Sequence, residues 1–342
     1  MAWLTTKAGA ALTMLAILSV AAPAAAESTI DAVKKRGTLV CGVNGELPGF
    51  SQLSVREEWV GLDVDLCRAV AAAVLGDATR VKFVPLTAKQ RFDALESGDI
   101  DVLARNSTVT LQRDSGRKVS YAAINYFDGQ GFVVPKKLKV NQLASLSGAK
   151  VCFTRGTTHE ANMVNWFRTR RLSVVPVGYD TQETMYDAFL GSRCAGVTQD
   201  ASGLAASLVQ RGKAADYLML PEIISKEPLG PYVRSGDEEW LNVVRWSHYA
   251  MLDAEERGIG KANVEEQRRS HDPAVRLFLG VTPGNGKALG LDEAWAYNII
   301  SQVGNYGERF EFNLGKRSPL KLGRGINALW SEGGQMYAPP LR

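Results

Sequence analysis

The sequence predicts an α/β fold built from mostly parallel sheets, and three observations predict it. Apolar strand patterns alternate with helix patterns over residues 38–103 and again over 150–198. Such β-α-β-α-β alternation implies parallel strands joined by crossover helices. The two series echo each other: segments 94–106 and 188–200 both run helix end, glycine, strand, then polar residues at the strand's carboxyl end. The length, 342 residues, exceeds one usual core. The expectation is two α/β lobes whose polar switch points face each other across a cleft.

The elements follow in chain order. Lys7, the apolar run 8–20 and the small residues Ala24-Ala25-Ala26 predict a cleaved signal peptide over 1–26 and a mature chain from Glu27. The run is too short for a comfortable membrane span. No cysteine lies just after the cleavage site, which argues against a lipid anchor, and no later segment is apolar over the length of a span. Residues 38–43 read as a buried strand, 62–75 as an Ala- and Leu-rich helix, 81–84 as a strand, 88–97 as a helix and 100–103 as a strand. The second series reads strand 150–153, Gly156-Thr157-Thr158, helix 160–169, strand 173–177, helix 181–190 and strand 195–198. Asp237, Glu238 and Glu239 crowd the start of a helix running to about Arg257, where carboxylates complement the helix dipole. The tail, 304–342, is rich in Gly, Pro and aromatic residues and has no clear periodicity; it is expected to pack.

Composition excludes several classes. A formal net charge of +4, from 40 Lys and Arg against 36 Asp and Glu, is too weak to imply a nucleic-acid partner. His159, His248 and His271 lack metal-ligand spacing, and no G-x-S-x-G elbow occurs. Gly284-Asn-Gly-Lys287 is not a phosphate loop: Val281 stands at the first glycine position and Ala288 follows the lysine. No catalytic residue, metal or cofactor is expected. Four cysteines in an exported chain are an even number in an oxidising compartment, and none has C-x-x-C spacing. Three connectivities are open. Pairing Cys41 with Cys67 and Cys152 with Cys194 keeps each bridge within one lobe; buried free thiols are the competing reading.

The segment 98–113 carries the strongest functional signal. A helix stops at Gly98, and a strand then delivers Arg105, Asn106, Ser107 and Thr108 at its carboxyl end, with Arg113 five residues on. Ligands in open α/β sheets sit outside the carboxyl ends of strands. Hydroxyls with an arginine there suit a carboxylate, which guanidinium holds through a two-bond fork.

Around that segment stand Gly61-Leu-Asp-Val-Asp65, Phe92-Asp-Ala-Leu95, Thr108-Val-Thr-Leu-Gln-Arg113, Gly156-Thr-Thr158 and Gln199-Asp200. Together they resemble the periplasmic amino-acid-binding proteins of ABC importers, the family 3 solute-binding proteins. Asp128-Gly-Gln-Gly-Phe132, Ile224-Ser-Lys-Glu-Pro-Leu-Gly-Pro231, Val303-Gly-Asn-Tyr-Gly-Glu308 and Tyr337-Ala-Pro-Pro340 resemble the general L-amino-acid-binding branch. The resemblance implies a type II, two-lobed binding-protein fold with a two-strand hinge. Lobe 1 is discontinuous, 27–129 and 231–342, and lobe 2 spans 130–230.

The resemblance also implies residue roles. Arg113 matches the arginine that grips the ligand α-carboxylate. Thr108, Thr157 and Thr158 match neighbouring contacts, since a helix N-terminus with free amides favours an anion. Asp200 matches the acid that pairs with the α-ammonium. Asn106 matches a position offering its carbonyl to the same group. Phe50 and Phe92 match aromatics around the ligand's aliphatic stem. Receptors for cationic amino acids carry an acid where this chain has Asn44 and an aromatic where it has Leu47. Arg105 and Arg155 flank the expected side-chain region instead, which favours glutamate, aspartate and their amides.

Each role has a plainer competitor. Arg113 could be a surface arginine beside Asp114, Arg117 and Lys118. Thr157, Thr158 and Asp200 could cap helices. Phe92 could be core, and Arg155 could point to solvent. The function implied is a periplasmic, monomeric receptor that captures L-amino acids and delivers them to an inner-membrane ABC permease with its ATPase subunits. A dehydratase on the same fold and a sensory amino-acid receptor are the alternatives, because fold does not fix function.

Overall fold

The computed structural model describes residues 1–3 and 28–341; the signal-peptide expectation lies almost wholly outside the described residues. The chain is α/β, with two separate sheets flanked by helices. The helix Thr29–Arg36 leads into β1 (Leu39–Val43), and the short strands β2 (Glu46–Leu47), β3 (Ser51–Leu53) and β4 (Trp59–Val60) form a small sheet of their own. β5 (Val81–Pro85), β6 (Val102–Thr108), β7 (Val119–Tyr121) and β8 (Tyr126–Asp128) follow. The second sheet takes β9 (Gln130–Pro135), β10 (Lys150–Thr154), β11 (Val175–Tyr179), β12 (Gly196–Asp200) and β13 (Tyr217–Met219), in the order β11-β10-β12-β9-β13. β14 (Glu227–Arg234) then returns to the first sheet, whose order is β5-β1-β6-β14-β7 with β8 also paired to β14.

The two sheets share one plan. β1 lies parallel to β5 and β6, and β10 lies parallel to β11 and β12. Each sheet is then extended by an antiparallel strand: β14 beside β6, and β9 beside β12. Parallel pairs need crossovers. The helix Leu62–Leu75 supplies one, and its Val64, Ala69, Val70, Ala71 and Ala72 are fully buried. Cys41–Cys67 ties this helix to β1, and Cys152–Cys194 ties β10 to the turn before β12.

The helix Glu238–Glu256 starts where the acidic cluster predicts, with Asp237 accepting from the Trp240 backbone N–H at 2.9 Å. Its buried Trp240 donates through the indole to the Asp101 carbonyl, also at 2.9 Å. The tail is more regular than its sequence suggests. Helices Trp295–Gln302 and Tyr306–Asn313 pack on helices Leu62–Leu75 and Glu238–Glu256, and Asn305 with Glu308 forms a capping box. Further on, the Asn327 amide grips the Phe127 backbone at both ends: Phe127 N–H donates at 2.6 Å and Phe127 C=O accepts at 2.9 Å. The tail therefore holds the strand that leads into the second sheet.

β6 is longer than expected. It runs from Val102 to Thr108, so Arg105, Asn106 and Thr108 lie inside the strand. The cause is β14, which pairs Leu229 with Thr108 and Gly230 with Ser107 and continues the ladder past the apolar residues.

Candidate functional site

The carboxyl ends of β6, β10 and β12 converge on one small cavity, partly open to solvent. Asn44, Arg105, Asn106, Thr108, Arg113, Thr157, Thr158 and Asp200 all line it. Phe50, Phe92 and Arg155 do not. Phe50 is buried and meets Tyr126 edge-on at 5.1 Å in the core. Phe92 lies behind the cavity, with the guanidinium carbons of Arg91, Arg113 and Arg117 at 5.0, 5.4 and 5.2 Å from its ring centre. Arg155 is half-exposed and pairs with Asp180 at 3.3 Å.

Each lining group is fixed by its neighbours. Asn106 adopts φ 34°, a region that few residues other than glycine enter. Its N–H donates to Asp63 at 2.8 Å, and its side-chain oxygen accepts from Asn44 at 3.0 Å. Its amide nitrogen reaches Asp200 across the cleft at 3.4 Å. Strained backbone held this way is typical of functional positions. Arg113 follows a helix start capped by Thr110 and donates to the Thr108 carbonyl at 2.9 Å. Arg105 is buried and donates to the Leu86 carbonyl at 2.7 Å.

From the opposite lobe, Gly156 has φ +78°, and a Cβ there would lie 3.0 Å from the Ala88 backbone. The glycine lets the two backbones meet across the cleft. Thr157 donates to the Thr154 carbonyl at 2.7 Å. Thr158 and Asp200 occupy helix N-cap positions, yet neither side chain caps its helix. Asp200 instead hydrogen-bonds with His159 Nε2 at 3.0 Å.

Several residues at the site were not anticipated from sequence. Arg91, Thr154, His159, Gln182 and Gln199 also line the cavity. Glu227 stands behind it, buried, on the returning strand β14. Its carboxylate accepts from Thr108 at 2.7 Å, Thr158 at 2.9 Å, Asn162 at 2.8 Å and Ser225 at 2.6 Å. One acid thus fixes hydroxyls from both sides of the cleft. Arg91 is buried and donates to the Gly156 carbonyl at 3.3 Å. The one available sequence signal for it was its place at a helix start beside Phe92.

The electrostatics are lopsided. Three guanidinium groups line one cavity, and burial lowers the pKa of each: well down for Arg91, to about 10 for Arg105, and down for Arg113. Burial pushes Asp63 up to about 6. Burial, then the charge of Asp200, pushes Asp128 up to about 8. The cavity therefore offers cationic donors and, at Asp200, an acceptor. Among the described residues no cluster of His, Cys, Asp and Glu is arranged to hold a metal ion.

The sequence profile of the bacterial extracellular solute-binding proteins, family 3, matches residues 39–257. A general L-amino acid-binding periplasmic protein of Rhizobium johnstonii is 47% identical over 329 residues, covering 96% of each chain. A glutamate/glutamine/aspartate/asparagine-binding protein of Rhodobacter capsulatus is 48% identical, covering 96% of this chain and 97% of its own. Among solved structures, a periplasmic binding protein of an ABC transporter from Brucella ovis, with glutathione bound, superposes with a TM-score of 0.90 at 47% identity. That match covers 93% of this chain and all of the other.

Proposed function

Since the chain belongs to the bacterial extracellular solute-binding proteins of family 3, we propose that it is a periplasmic receptor that captures L-amino acids by a zwitterion clamp and hands them to an ABC permease. The observation that carries this reading is that Arg113 and Asp200, borne at or just after the strand ends of separate sheets, line one cavity. Arg113 holds the α-carboxylate together with the free backbone N–H groups at the helix start by Thr158, while the Thr108, Thr157 and Thr158 hydroxyls, which donate to Glu227 and to the Thr154 carbonyl, shape that part of the cavity. Asp200 and the Asn106 carbonyl hold the α-ammonium. His159 keeps the Asp200 carboxylate turned into the cavity rather than onto its own helix.

Selectivity follows from the rest of the lining. Asn44 offers no negative charge, and Arg105 is a buried cation that lines the same cavity. A lysine or arginine side chain meets a like charge there, and a mismatch of that kind discriminates between ligands. Glutamate, aspartate, glutamine and asparagine bind best, in keeping with the Rhodobacter relative's name. The glutathione of the Brucella neighbour presents the same free amino-acid head.

The protein acts by binding, without turnover. The lobes, 27–129 with 231–342 and 130–230, move as rigid bodies about the two crossing strands, as binding proteins with such hinges do. The cross-cleft contacts Lys89–Asp180 at 2.5 Å and Gln182 to the Glu46 carbonyl at 3.3 Å belong to the closed form. A thermal-shift screen of the purified protein against the common L-amino acids tests the reading, because a ligand that binds only the folded state raises its melting temperature. The four acidic and amide residues should give the largest shifts, and lysine and arginine the smallest. No shift with any L-amino acid would refute it.

A further inference from the structure

Lobe 2 is electrically polarised along its strands. Residues 130–230 hold 12 Lys and Arg against eight Asp and Glu, and ten of the twelve lie at the edge of the sheet that faces away from the cavity. Helices His159–Thr169, Gln182–Leu190 and Ala201–Gln210 start beside the carboxyl ends of β10, β11 and β12 and run back to that edge. Arg168, Arg170 and Arg171 close the first helix, Arg193 follows the second, and Arg211 and Lys213 follow the third. Lys136, Lys137 and Lys139 stand just past the end of β9, which is antiparallel to β12, and Lys150 opens β10. Backbone bonds set these turns side by side. Lys136 N–H donates to the Asp216 carbonyl at 3.0 Å, Ala195 N–H to the Lys150 carbonyl at 2.9 Å, and Gly148 N–H to the Ser173 carbonyl at 2.9 Å.

The segments that form this pole, 136–150, 168–174, 191–195 and 211–217, contain one acid, Asp216. Among the described residues none of the ten cations forms an ion pair, and all but Arg211 are exposed. Helix dipoles account for only part of the excess. A helix C-terminus carries about half a negative charge, so three of them offset about 1.5 of a net nine. Apolar side chains stand among the cations: exposed Leu138 between Lys137 and Lys139, and exposed Val175 at the start of β11. The cations are spread across all five strands of the sheet, which at roughly 4.8 Å per strand spacing is about 20 Å. One small anion meets only a few of them. An extended anionic surface that also admits apolar groups meets them all.

We propose that this basic pole of lobe 2 docks on anionic phospholipid bilayers, with its lysines and arginines against the headgroups and Leu138 at the boundary with the acyl chains. The pole and the amino-acid cavity lie at opposite strand ends of the same sheet, so a docked protein keeps its cleft open to solvent. The docking surface uses none of the residues of the zwitterion clamp, and the two stand or fall separately.

The experiment is co-sedimentation of the purified protein with vesicles of phosphatidylcholine alone, and of phosphatidylglycerol and phosphatidylcholine in equal parts. Native protein should bind the mixed vesicles in about 0.1 M salt and leave them in about 1 M salt, where the screening length falls to about 3 Å. It should bind pure phosphatidylcholine at least about tenfold more weakly. Lys136→Gln, Lys137→Gln and Lys139→Gln combined should weaken binding to mixed vesicles about 100-fold, because each basic side chain near an anionic bilayer contributes about fivefold. Arg168→Gln, Arg170→Gln and Arg171→Gln combined should give a similar loss. The control, Lys316→Gln, Arg317→Gln and Lys321→Gln combined, removes the same charge from an exposed part of lobe 1 and should stay within about threefold of native. Thermal melts report that each variant is folded, and calorimetry should find glutamate affinity within about twofold of native in all three. No preference for the anionic vesicles, or binding that salt does not release, overturns the docking surface and leaves the amino-acid reading standing. So does native-like binding by either pole variant, or an equal loss in the control.

Discussion

Arg113→Ala is the most informative single change. Arg113 lines the cavity, partly buried, with one donor on the Thr108 carbonyl at 2.9 Å and its guanidinium over the Phe92 ring. Truncating one partner of a buried, hydrogen-bonded charge pair costs about 2–5 kcal/mol of binding. Arg91 and Arg105 line the same cavity and keep it positive after the change. The loss therefore belongs at the lower end, about 2–3 kcal/mol, or about 30- to 150-fold in Kd for glutamate. Folding should survive, because the Thr108 carbonyl also accepts from the buried Tyr232 hydroxyl at 3.0 Å. Arg117→Ala is the control. Arg117 stacks on the same ring at 5.2 Å, but its guanidinium pairs with Asp93 and Glu96 at the surface. Isothermal calorimetry reads both variants, with thermal denaturation alongside. Unchanged affinity in Arg113→Ala, or an equal loss in Arg117→Ala, would refute the reasoning.

Three further predictions concern the rest of the molecule. Arg155→Gln should leave glutamate affinity within about twofold by calorimetry, because Arg155 pairs with Asp180 outside the cavity and surface pairs contribute little; a large loss specific to glutamate would restore it to the site. Burial pushes the pKa of His248 from its ordinary 6.5 down to about 4, so between those values the unfolded chain binds the proton first. Stability should therefore be intact above about pH 6.5 and fall by up to about 3 kcal/mol toward pH 4, and denaturant melts of His248→Gln should show a shallower fall. Reducing the disulfides should lower stability by about 3.5 kcal/mol for Cys41–Cys67 and about 4 kcal/mol for Cys152–Cys194, on a chain-entropy account. Those figures follow from their separations of 26 and 42 residues, and Cys→Ser pairs measured by urea unfolding check them.

Much of the fold was legible because its signals are local. The alternation of apolar strands with helices, and the glycine ending the helix before β6, are written within short windows. The helix Leu62–Leu75 was read to the residue for that reason. The extension of β6 to Thr108 was not legible, since its partner β14 lies more than a hundred residues on. The tail helix Tyr306–Asn313 spans about two turns, too few for a clear period, although the Asn305 and Glu308 spacing was a usable start signal. At the site, Thr158 and Asp200 stood out as polar residues at switch points. Their freedom from capping could be learned only from three dimensions. Arg91, His159 and Glu227 escaped notice because each owes its place to convergence. Glu227 in particular reads as an ordinary acid before a proline, yet it gathers four donors. Phe50 and Phe92 were visible as aromatics, but Tyr126 and Tyr232 draw their rings into the core.

The central claim is that the cavity recognises the α-carboxylate and the α-ammonium together. The direct test is calorimetry of the purified protein with L-glutamate, with glutarate, which lacks the ammonium, and with γ-aminobutyrate, which lacks the α-carboxylate. Each analogue leaves one charged partner, Asp200 or Arg113, without its counterpart in the cavity, and an uncompensated buried charge is costly. The account predicts clear binding of L-glutamate and a loss of about 100-fold or more for each analogue. Glutarate or γ-aminobutyrate binding as tightly as glutamate would contradict it.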